Sequence, residues 1–374
     1  MATRLQRELT YLGLLGAAIL IRKRKTKWGL ALGCGALALR LIPRRKNVSF
    51  EERSVVITGG SRGLGLALAQ QLVQEGAYVT LLARDRLELD RAHARIEAIR
   101  PDRVLTMVCD VTRSEQLAHA LCTANDHFGR LDVLINNAGA ITVGPYEAQD
   151  EQDFRAQMEL HLFAPLEAIR LALCYMRQGG GGMIINISSL GGKIPVPHMA
   201  PYCASKFALS GVSQAIAPEL ALEGISVTTV YPGLMRTGSP IQAVFKGDHE
   251  KEFAWFAASD VAPGVSLSPE TAARRILSAA RAGDSELVIG WAAKSGSLAY
   301  TLFPEIFSRV TRIAARLLPH GKSRQRKTGA ESSRWLHHQI WAKPIKEINR
   351  RAQRRYNQMA RSEAEFNLGL RSQL

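Results

Sequence analysis

The chain has 374 residues, of which 46% are hydrophobic and 22% are charged, and it is long enough for one large α/β domain with extensions. Its net charge of +16 lies at the ends, since residues 1–50 carry +10, residues 321–374 carry +9 and residues 51–320 carry −3. Five scattered cysteines argue against a disulfide framework, and because the sequence shows neither metal-site spacing nor a nucleic-acid-binding signature, we expect no metal and no nucleic acid.

Residues 1–50 are predicted to associate with a membrane. Two apolar runs, at 9–21 and 28–39, flank a basic cluster at 22–27, and each run is shorter than the ~20 residues that cross a bilayer. We expect both runs to lie in or dip into the interface, with the basic clusters on anionic lipid at the cytoplasmic face. The alternative is a soluble helical hairpin packed on the core or on a second subunit.

The glycine-rich stretch that follows predicts a dinucleotide site. A short β-rich run at 54–57 ends at Thr58, and Gly59, Gly63 and Gly65 then open an amphipathic helical pattern. Glycines let the backbone approach a pyrophosphate, and a helix N-terminus supplies free N–H groups and positive potential. A glycine-rich turn alone is often only a turn, but the strand before it and the helix after it are the context that this motif needs.

The second predicted strand, at 78–82, is followed by Ala83 and Arg84. A dinucleotide site that selects NAD usually carries an acid at this strand end, where it binds the ribose 2′-hydroxyl. Ala83 stands there instead, and the guanidinium groups of Arg84 and Arg62 would suit a 2′-phosphate. We therefore predict NADP(H) as the cofactor. The alternative is that Arg84 pairs with Asp85 on the surface while Arg62 is solvated.

A Tyr and a Lys in the middle of the chain carry the catalytic prediction. Tyr202 and Lys206 are four residues apart, so on a helix their side chains share one face. An ammonium beside a phenol favours the phenolate and lowers the Tyr pKa from its usual value near ~10. Ser189 follows a predicted buried strand at 183–187, where open α/β sheets bind ligands, so its hydroxyl could hold a substrate carbonyl. A surface Tyr–Lys pair is the alternative reading of this spacing alone.

With the turn TGGSRGLG at 58–65 and the sequence NNAG at 136–139, this YxxxK motif makes the chain similar to short-chain dehydrogenases/reductases over about residues 54–282. The resemblance implies an α/β fold: a Rossmann-type doubly wound parallel sheet of about seven strands, flanked by helices, with N- and C-terminal helical extensions. We expect four regions: a membrane-associating segment at 1–50, the Rossmann-fold domain at 51–290, an amphipathic helical extension at 291–320 and a basic tail at 321–374.

The resemblance assigns roles to four residues. Tyr202 would be the general acid or base, Ser189 would orient the carbonyl or alcohol, and Lys206 would lower the Tyr pKa and hold the nicotinamide ribose. His161 stands where relatives usually carry an Asn that supports a proton relay. Because an imidazole also donates and accepts hydrogen bonds, a relay through His161 and a packed His with one hydrogen bond are both open.

The resemblance also implies contacts with the cofactor. Asp110 and Val111 would flank the adenine, the NNAG turn would line the cofactor and steady the sheet, and a turn that ends at Thr237 would lie over the nicotinamide. The predicted cofactor-binding residues are Thr58, Gly59, Ser61, Arg62, Gly63, Leu64, Gly65, Arg84, Asp110, Val111, Asn137, Ala138, Gly139, Tyr202, Lys206, Pro232, Gly233 and Thr237.

The stretch at 238–263 would be a substrate lid, whose apolar residues suit either a lipophilic substrate or packing on the lid's own core.

Residues 304–317 predict a basic amphipathic helix that lies on a membrane, closes the substrate entrance or packs on a partner subunit. Residues 321–333 predict a flexible basic linker, and residues 335–365 predict a solvated helix or disorder, with lipid contact as the sharper alternative.

These features predict a membrane-associated, NADP(H)-dependent oxidoreductase that interconverts a carbonyl and a secondary alcohol on a lipophilic molecule. The predicted helix at 202–222 would allow a homodimer, because many relatives pair through it. Two other functions stay open. One is a catalytically weak or inactive cofactor-binding scaffold at a membrane, made plausible by His161. The other is a nucleic-acid-binding protein that uses its basic tails.

Overall fold

The computed structural model describes residues 13, 16–21, 26–41, 48–261, 266–333 and 343–358. The chain divides into two compact units, Met1–Val48 and Ser49–Leu374. The first unit contains a helical run at 16–21 and the helix α1 (Thr26–Leu41). No helix among the described residues is long and apolar enough to cross a membrane, and the interfacial location of residues 1–50 stays a prediction.

The second unit is built on a parallel sheet. The described strands are β1 (Ser54–Thr58), β2 (Tyr78–Ala83), β3 (Val104–Val108), β4 (Val133–Asn136), β5 (Thr142–Val143), β6 (Gly182–Ile187), β7 (Ile225–Pro232), β8 (Val244–Phe245), β9 (Glu286–Ile289) and β10 (Lys327–Thr328). Seven of them form one sheet in the order β3-β2-β1-β4-β6-β7-β9, and every pairing in it is parallel. This is the predicted doubly wound, Rossmann-type sheet. Its order reverses between β1 and β4, and open α/β sheets bind ligands at that point, outside the carboxyl ends of the strands.

Helices cover both faces of this sheet, which is why its central strands read as nearly continuous apolar runs. The helices are α2 (Gly63–Gln74), α3 (Arg86–Glu97), α4 (Ser114–Phe128), α5 (Glu151–Met158), α6 (Ala164–Gln178), α7 (Ala200–Ala221), α8 (His249–Asp260), α9 (Pro269–Ala282), α10 (Trp291–Leu302), α11 (Pro304–Ala315), α12 (Gly329–Ser332) and α13 (Lys343–Arg355). A π-helical turn, Glu159–Phe163, joins α5 to α6. Helix α6 shows the pattern: its buried Ala168, Ala172 and Met176 face the core cluster that lies on the sheet.

The lid region packs largely on its own core. The ring of Phe245 in β8 meets the rings of Phe253 and Phe256 in α8 edge to face, with centroids 5.5 and 5.9 Å apart. Below them the buried ammonium of Lys246 lies 2.5 Å from a carboxylate oxygen of Asp153, which pins β8 to α5. These aromatic side chains therefore pack on the lid's own core, which was the second of the two predicted roles. Residues 262–263 of the predicted lid lie outside the described residues.

The predicted flexible linker at 321–333 is wrong. Strand β10 lies inside it and pairs with β8, and Thr328 and Glu331 form a reciprocal capping box that opens α12. The sequence carried this signal, because Thr followed three residues later by Glu is the pattern of a capping box. The basic composition of the stretch hid the signal, and the strand itself forms only because β8 offers an edge to pair with.

Candidate active site

The glycine-rich turn between β1 and α2 has a shape that only glycine allows. Gly59 and Gly63 have φ angles of +64° and +57°, which side-chain-bearing residues rarely adopt. A Cβ on Gly65 would meet the carbonyl oxygen of Gly59 and would stand 2.7 Å from Nδ2 of Asn137. The turn therefore packs directly against the end of β4, and a side chain at Gly59 or Gly65 would force the two apart.

The NNAG turn is tied to the end of β1. The hydroxyl of Thr58 accepts hydrogen bonds from the backbone N–H groups of Asn137 and Ala138, at 2.9 and 3.0 Å. In return, the amide nitrogen of Asn137 donates to the carbonyl oxygens of Thr58 and Gly59, at 3.0 and 2.9 Å. The two strand ends on either side of the point where the sheet order reverses are thus held as one rigid floor.

Above this floor lies a cavity of about 670 Å³. Twelve of the predicted cofactor residues line it: Gly59, Ser61, Arg62, Gly63, Leu64, Arg84, Asp110, Val111, Asn137, Ala138, Gly139 and Thr237. The other predicted residues, Thr58, Gly65, Tyr202, Lys206, Pro232 and Gly233, are not in its lining. Thr58 and Gly65 shape the turn from behind, and the backbone N–H of Gly233 donates to Ile289, which ties the end of β7 to β9.

The sequence analysis did not assign six charged or polar residues of the cavity wall to the cofactor site: Asp85, Glu88, Arg91, Ser239, Gln242 and Gln358. Glu88 and Arg91 stand in the first half of α3, whose N-terminus follows directly on the β2 strand end. A sequence signal existed for these two, because a helix that begins at the site places its first turns beside the ligand. Gln358 lies far along the chain, and no local pattern could have placed it here.

Glu88 changes the surroundings of the predicted phosphate-binding arginines. It forms an ion pair of 2.9 Å with Arg62 and accepts a hydrogen bond of 3.0 Å from the hydroxyl of Ser61. Asp85 caps α3 by accepting from the backbone N–H of Glu88. Arg62 is therefore paired rather than solvated, and Arg84 and Arg91 bring two further guanidinium groups to the cavity wall.

The fold brings the three catalytic candidates together. Ser189 lies two residues after the end of β6. Its hydroxyl oxygen accepts from the backbone N–H of Gly191 at 3.1 Å, and the hydroxyl shares a hydrogen bond with the phenol of Tyr202. Tyr202 and Lys206 lie on the first two turns of α7, with the Lys nitrogen 5.9 Å from the centroid of the Tyr ring. That nitrogen donates to the carbonyl oxygen of Ile187 at 2.9 Å, which fixes it at the end of the same strand.

The expected effect of Lys206 on Tyr202 needs correction. Burial raises the pKa of Tyr202 to about 12, against a lowering effect of the hydrogen bond with Ser189. Burial also lowers the pKa of Lys206 to about 7, so near neutral pH the amine is only partly charged. The helical spacing was right, but it carried no information on desolvation, which disfavours the charged form of both groups.

His161 is fully hydrogen-bonded within the protein. Its Nε2 accepts from the backbone N–H of Ala140 at 3.2 Å, so its Nδ1 carries the proton and donates to the hydroxyl of Ser205 at 2.8 Å. Burial, with the nearby Lys206 as a smaller cause, holds the pKa of His161 well below its usual range. A relay through His161 would have to break one of these bonds, so the geometry favours a positioning residue that packs edge to face on Tyr202, with ring centroids 5.5 Å apart.

Comparison with known families decides the assignment. The family model for short chain dehydrogenase matches residues 53–244, about half of the chain, and that span includes both glycine-containing turns and the three catalytic candidates. The chain belongs to the short-chain dehydrogenase/reductase family. The resemblance inferred from the motifs is therefore confirmed.

Several similar proteins and solved structures carry names that state an enzymatic activity. Oxidoreductase BOA17 of Botryotinia fuckeliana is 38% identical over 189 residues, which cover 50% of this chain and 68% of that protein. Human 15-hydroxyprostaglandin dehydrogenase (NAD(+)) is 34% identical over 188 residues, which cover 49% and 68%. Among solved structures, a short-chain dehydrogenase from Streptomyces avermitilis has a TM-score of 0.61 at 30% identity and covers 71% of this chain and 97% of its own. L-sorbose reductase from Gluconobacter frateurii, complexed with NADPH and L-sorbose, has a TM-score of 0.56 at 26% identity, with 64% and 95% covered.

Members of this family are oxidoreductases that bind a nicotinamide cofactor, and the cavity of this chain fits such a group. Its volume lies within the ~300–1000 Å³ of ordinary ligand sites. Gly63, at the N-terminus of α2, lines the cavity without a side chain, so a phosphate group could approach the backbone there. The turn would hold the diphosphate at the N-terminus of α2, and Thr237 lines the same cavity.

Proposed function

We propose that this dehydrogenase/reductase is NADP(H)-dependent and interconverts a carbonyl and a secondary alcohol on a lipophilic molecule at a membrane surface. The observation that carries the chemistry is the meeting of Ser189, Tyr202 and Lys206 at the carboxyl end of β6, beside the glycine-lined cavity. A bound nicotinamide supplies the hydride, so the protein has to supply position and a proton.

Tyr202 is suited to supply that proton. Because burial raises its pKa to about 12, the phenol is protonated at neutral pH and can donate to a carbonyl oxygen that gains negative charge. The hydroxyl of Ser189, already hydrogen-bonded with this phenol, can hold the same oxygen. The reverse reaction needs the phenolate, and a charged Lys206 amine would stabilise it.

The surroundings of Tyr202 support a lipophilic substrate. The phenol ring belongs to an apolar cluster with Val143 and Met199, and the partly buried Val196 and Trp255 pack against this cluster. Apolar side chains beside the reacting phenol would favour a hydrophobic group on the substrate. One relative's name refers to a hydroxyprostaglandin and another's title to L-sorbose, so the names do not converge, and the apolar cluster is the support for this proposal.

Turnover with a panel of carbonyl compounds tests the proposed activity. We expect the protein to oxidise NADPH with at least one long-chain or polycyclic ketone, and Tyr202→Phe to lower kcat by about 10³-fold, because the proton donor is lost. Tyr78→Phe is the matched control and should leave kcat unchanged. Tyr78 is the first residue of β2, at the amino end of the strands, whereas the site lies at their carboxyl ends. Unchanged turnover in Tyr202→Phe contradicts the proposal, and cofactor binding without any turnover favours the scaffold alternative.

The cofactor preference rests on the end of β2. Ala83 offers no carboxylate to a ribose 2′-hydroxyl, whereas Arg84 lines the cavity at that place and Arg91 lies on its wall. Two guanidinium groups favour a 2′-phosphate. The pair of Arg62 and Glu88 supports a second candidate, because the Glu88 carboxylate could bind the 2′-hydroxyl of NAD(H), as the human relative's name suggests for that enzyme.

Dissociation constants of NADPH and NADH distinguish these candidates. We expect the protein to bind NADPH more tightly, and Arg84→Ala to weaken NADPH binding about tenfold with little change for NADH, because a charge-assisted contact with the 2′-phosphate is lost. Arg86→Ala is the control, because Arg86 is an exposed side chain that forms an ion pair with Asp90, and this variant should bind both dinucleotides normally. Tighter binding of NADH by the unmodified protein would overturn the NADP(H) proposal.

Helix α11 supports contact with an anionic membrane. None of its twelve described residues is buried. One side carries an apolar stripe formed by Ile306, Val310 and Ile313, which Leu317 continues just beyond the end of the helix, and all four are exposed. Arg309, Arg312 and Arg316 lie on the same helical stretch, beside the stripe. An exposed apolar stripe flanked by arginines is typical of a helix that lies in the headgroup region of an anionic bilayer.

Sedimentation with phosphatidylserine-containing vesicles tests the membrane proposal. We expect the triple variant Ile306→Ser, Val310→Ser, Ile313→Ser to bind these vesicles at least about tenfold more weakly, because the apolar area that enters the interface is lost. Leu222→Ser is the control, since this side chain is also exposed but follows the end of α7. Equal binding by the triple variant and the unmodified protein would reject α11 as the contact.

A further inference from the structure

The C-terminal segment after α13 is docked on the dinucleotide half of the fold. Helix α13 ends at Arg355, and residues 356–358 continue toward the glycine-rich turn. Arg95 of α3 donates to the carbonyl oxygens of Arg354 and Arg355, at 3.0 and 2.8 Å, and so satisfies the free carbonyls at the end of α13. This part of the predicted solvated tail is therefore an ordered wall beside the cavity.

Asn357 holds the segment in place. It is 0% exposed and has a φ angle of +58°, in the left-handed region that Asn tolerates better than most residues. Its amide nitrogen donates to the carbonyl oxygens of Ser61 and Glu88, at 2.8 and 2.9 Å, and its amide oxygen accepts from Nε of Arg91 at 2.7 Å. The side chain thus joins the glycine-rich turn to α3.

Tyr356 brings the segment to the N-terminus of α2. Its carbonyl oxygen accepts from the backbone N–H of Gly63 at 2.9 Å, and its phenol is hydrogen-bonded to Glu270 of α9. Arg62, the residue before α2, makes no capping hydrogen bond with its side chain in the described part of the chain. The next N–H groups of α2 are therefore available to an anion, and the segment lies directly beside them.

Gln358 points into the cavity at this place. It is 5% exposed, it lines the cavity, and its Nε2 stands 3.0 Å from where a Cβ on Gly63 would be. That same position on Gly63 lies 4.0 Å from the Cβ of Thr237, across the crevice. Its Oε1 is buried and has no hydrogen-bond partner among the described residues. Because Oε1 is an acceptor, it does not bind a phosphate; the group beside Gly63 in the cavity is the Nε2 donor, which has no acceptor within residues 48–261, 266–333 and 343–358 and which a ligand oxygen can complete.

We propose that Gln358 binds the diphosphate of the dinucleotide, with its amide N–H donating to a phosphate oxygen, and that Asn357 is the positioning residue for this contact. The position beside the first turn of α2 is where a diphosphate meets free N–H groups, and a side-chain amide there adds a donor that the glycine-rich turn lacks. The inference rests on the proposed function only in that a dinucleotide fills the cavity, and it holds for NADPH and NADH alike because both carry the diphosphate.

A charge series at position 358 tests the contact in the full chain. Fluorescence titration should give dissociation constants of NADPH and NADH that both rise about tenfold in Gln358→Ala and further in Gln358→Glu, because a donor is lost and then a negative charge faces the phosphates. Gln358→Lys should bind both at least as tightly as the unmodified protein. Gln178→Glu, exposed at the end of α6, controls for the change in net charge and should bind both normally.

Asn357→Gly separates positioning from general stability. Glycine keeps the left-handed backbone accessible and removes only the three side-chain hydrogen bonds. We expect weaker binding of both dinucleotides and, in hydrogen exchange, loss of the protection that NADPH gives residues 343–358 in the unmodified protein. A purely structural role would lower the melting temperature of the free protein without changing either dissociation constant, and that result would overturn the positioning role.

The outcomes separate this inference from the proposed function. If the unmodified protein binds a dinucleotide and Gln358→Glu binds it equally well, the diphosphate contact is rejected while the function stands. If Gln358→Ala binds more tightly, the segment competes with the cofactor, and the inference is again overturned. If the unmodified protein binds neither NADPH nor NADH, the proposed function and the inference both fail.

Discussion

The buried amine of Lys206 is the interaction on which the site depends. It is 4% exposed, it donates to the carbonyl oxygen of Ile187 at 2.9 Å, and it faces the ring of Tyr202. Burial lowers its pKa to about 7 and raises that of Tyr202 to about 12. Both shifts remove charge from the interior, so the pair rests close to neutral and gains charge only when a ligand or the reaction supplies a partner.

The parallel sheet explains how distant parts of the sequence reach this pair. Strands β1, β4 and β6 all point their carboxyl ends to one edge, so Thr58, Asn137 and Ser189 meet there although they are far apart in the chain. Helix α7 starts at the same edge and places Tyr202 against Ser189. The cavity floor is therefore set by hydrogen bonds between the side chains of Thr58 and Asn137 and the main chain at these strand ends, on the same sheet edge that carries the acid–base groups.

The sequence was sufficient to predict the local motifs, but it could not predict which residues come together through long-range contacts or how deeply they are buried. The glycine turn and the Tyr–Lys pair were identified because each motif lies within eight residues or fewer and its chemistry requires that spacing. The pKa of Tyr202 was misjudged because desolvation depends on the whole fold. Gln358 was missed because it meets Gly63 only through tertiary packing, and a basic composition gave no reason to place it in a cofactor site. The predicted homodimer through α7 stays a prediction.

Titration of Lys206 is the most direct test of the account. Nuclear magnetic resonance of protein labelled at the lysine side chains, with the signal assigned by its absence in Lys206→Met, would follow this amine from acid to alkaline pH without any ligand. The account predicts a midpoint near pH 7, with the amine neutral above it, because burial disfavours the charged amine. A midpoint near the ~10.4 of an exposed lysine would show a solvated amine and contradict the buried acid–base pair.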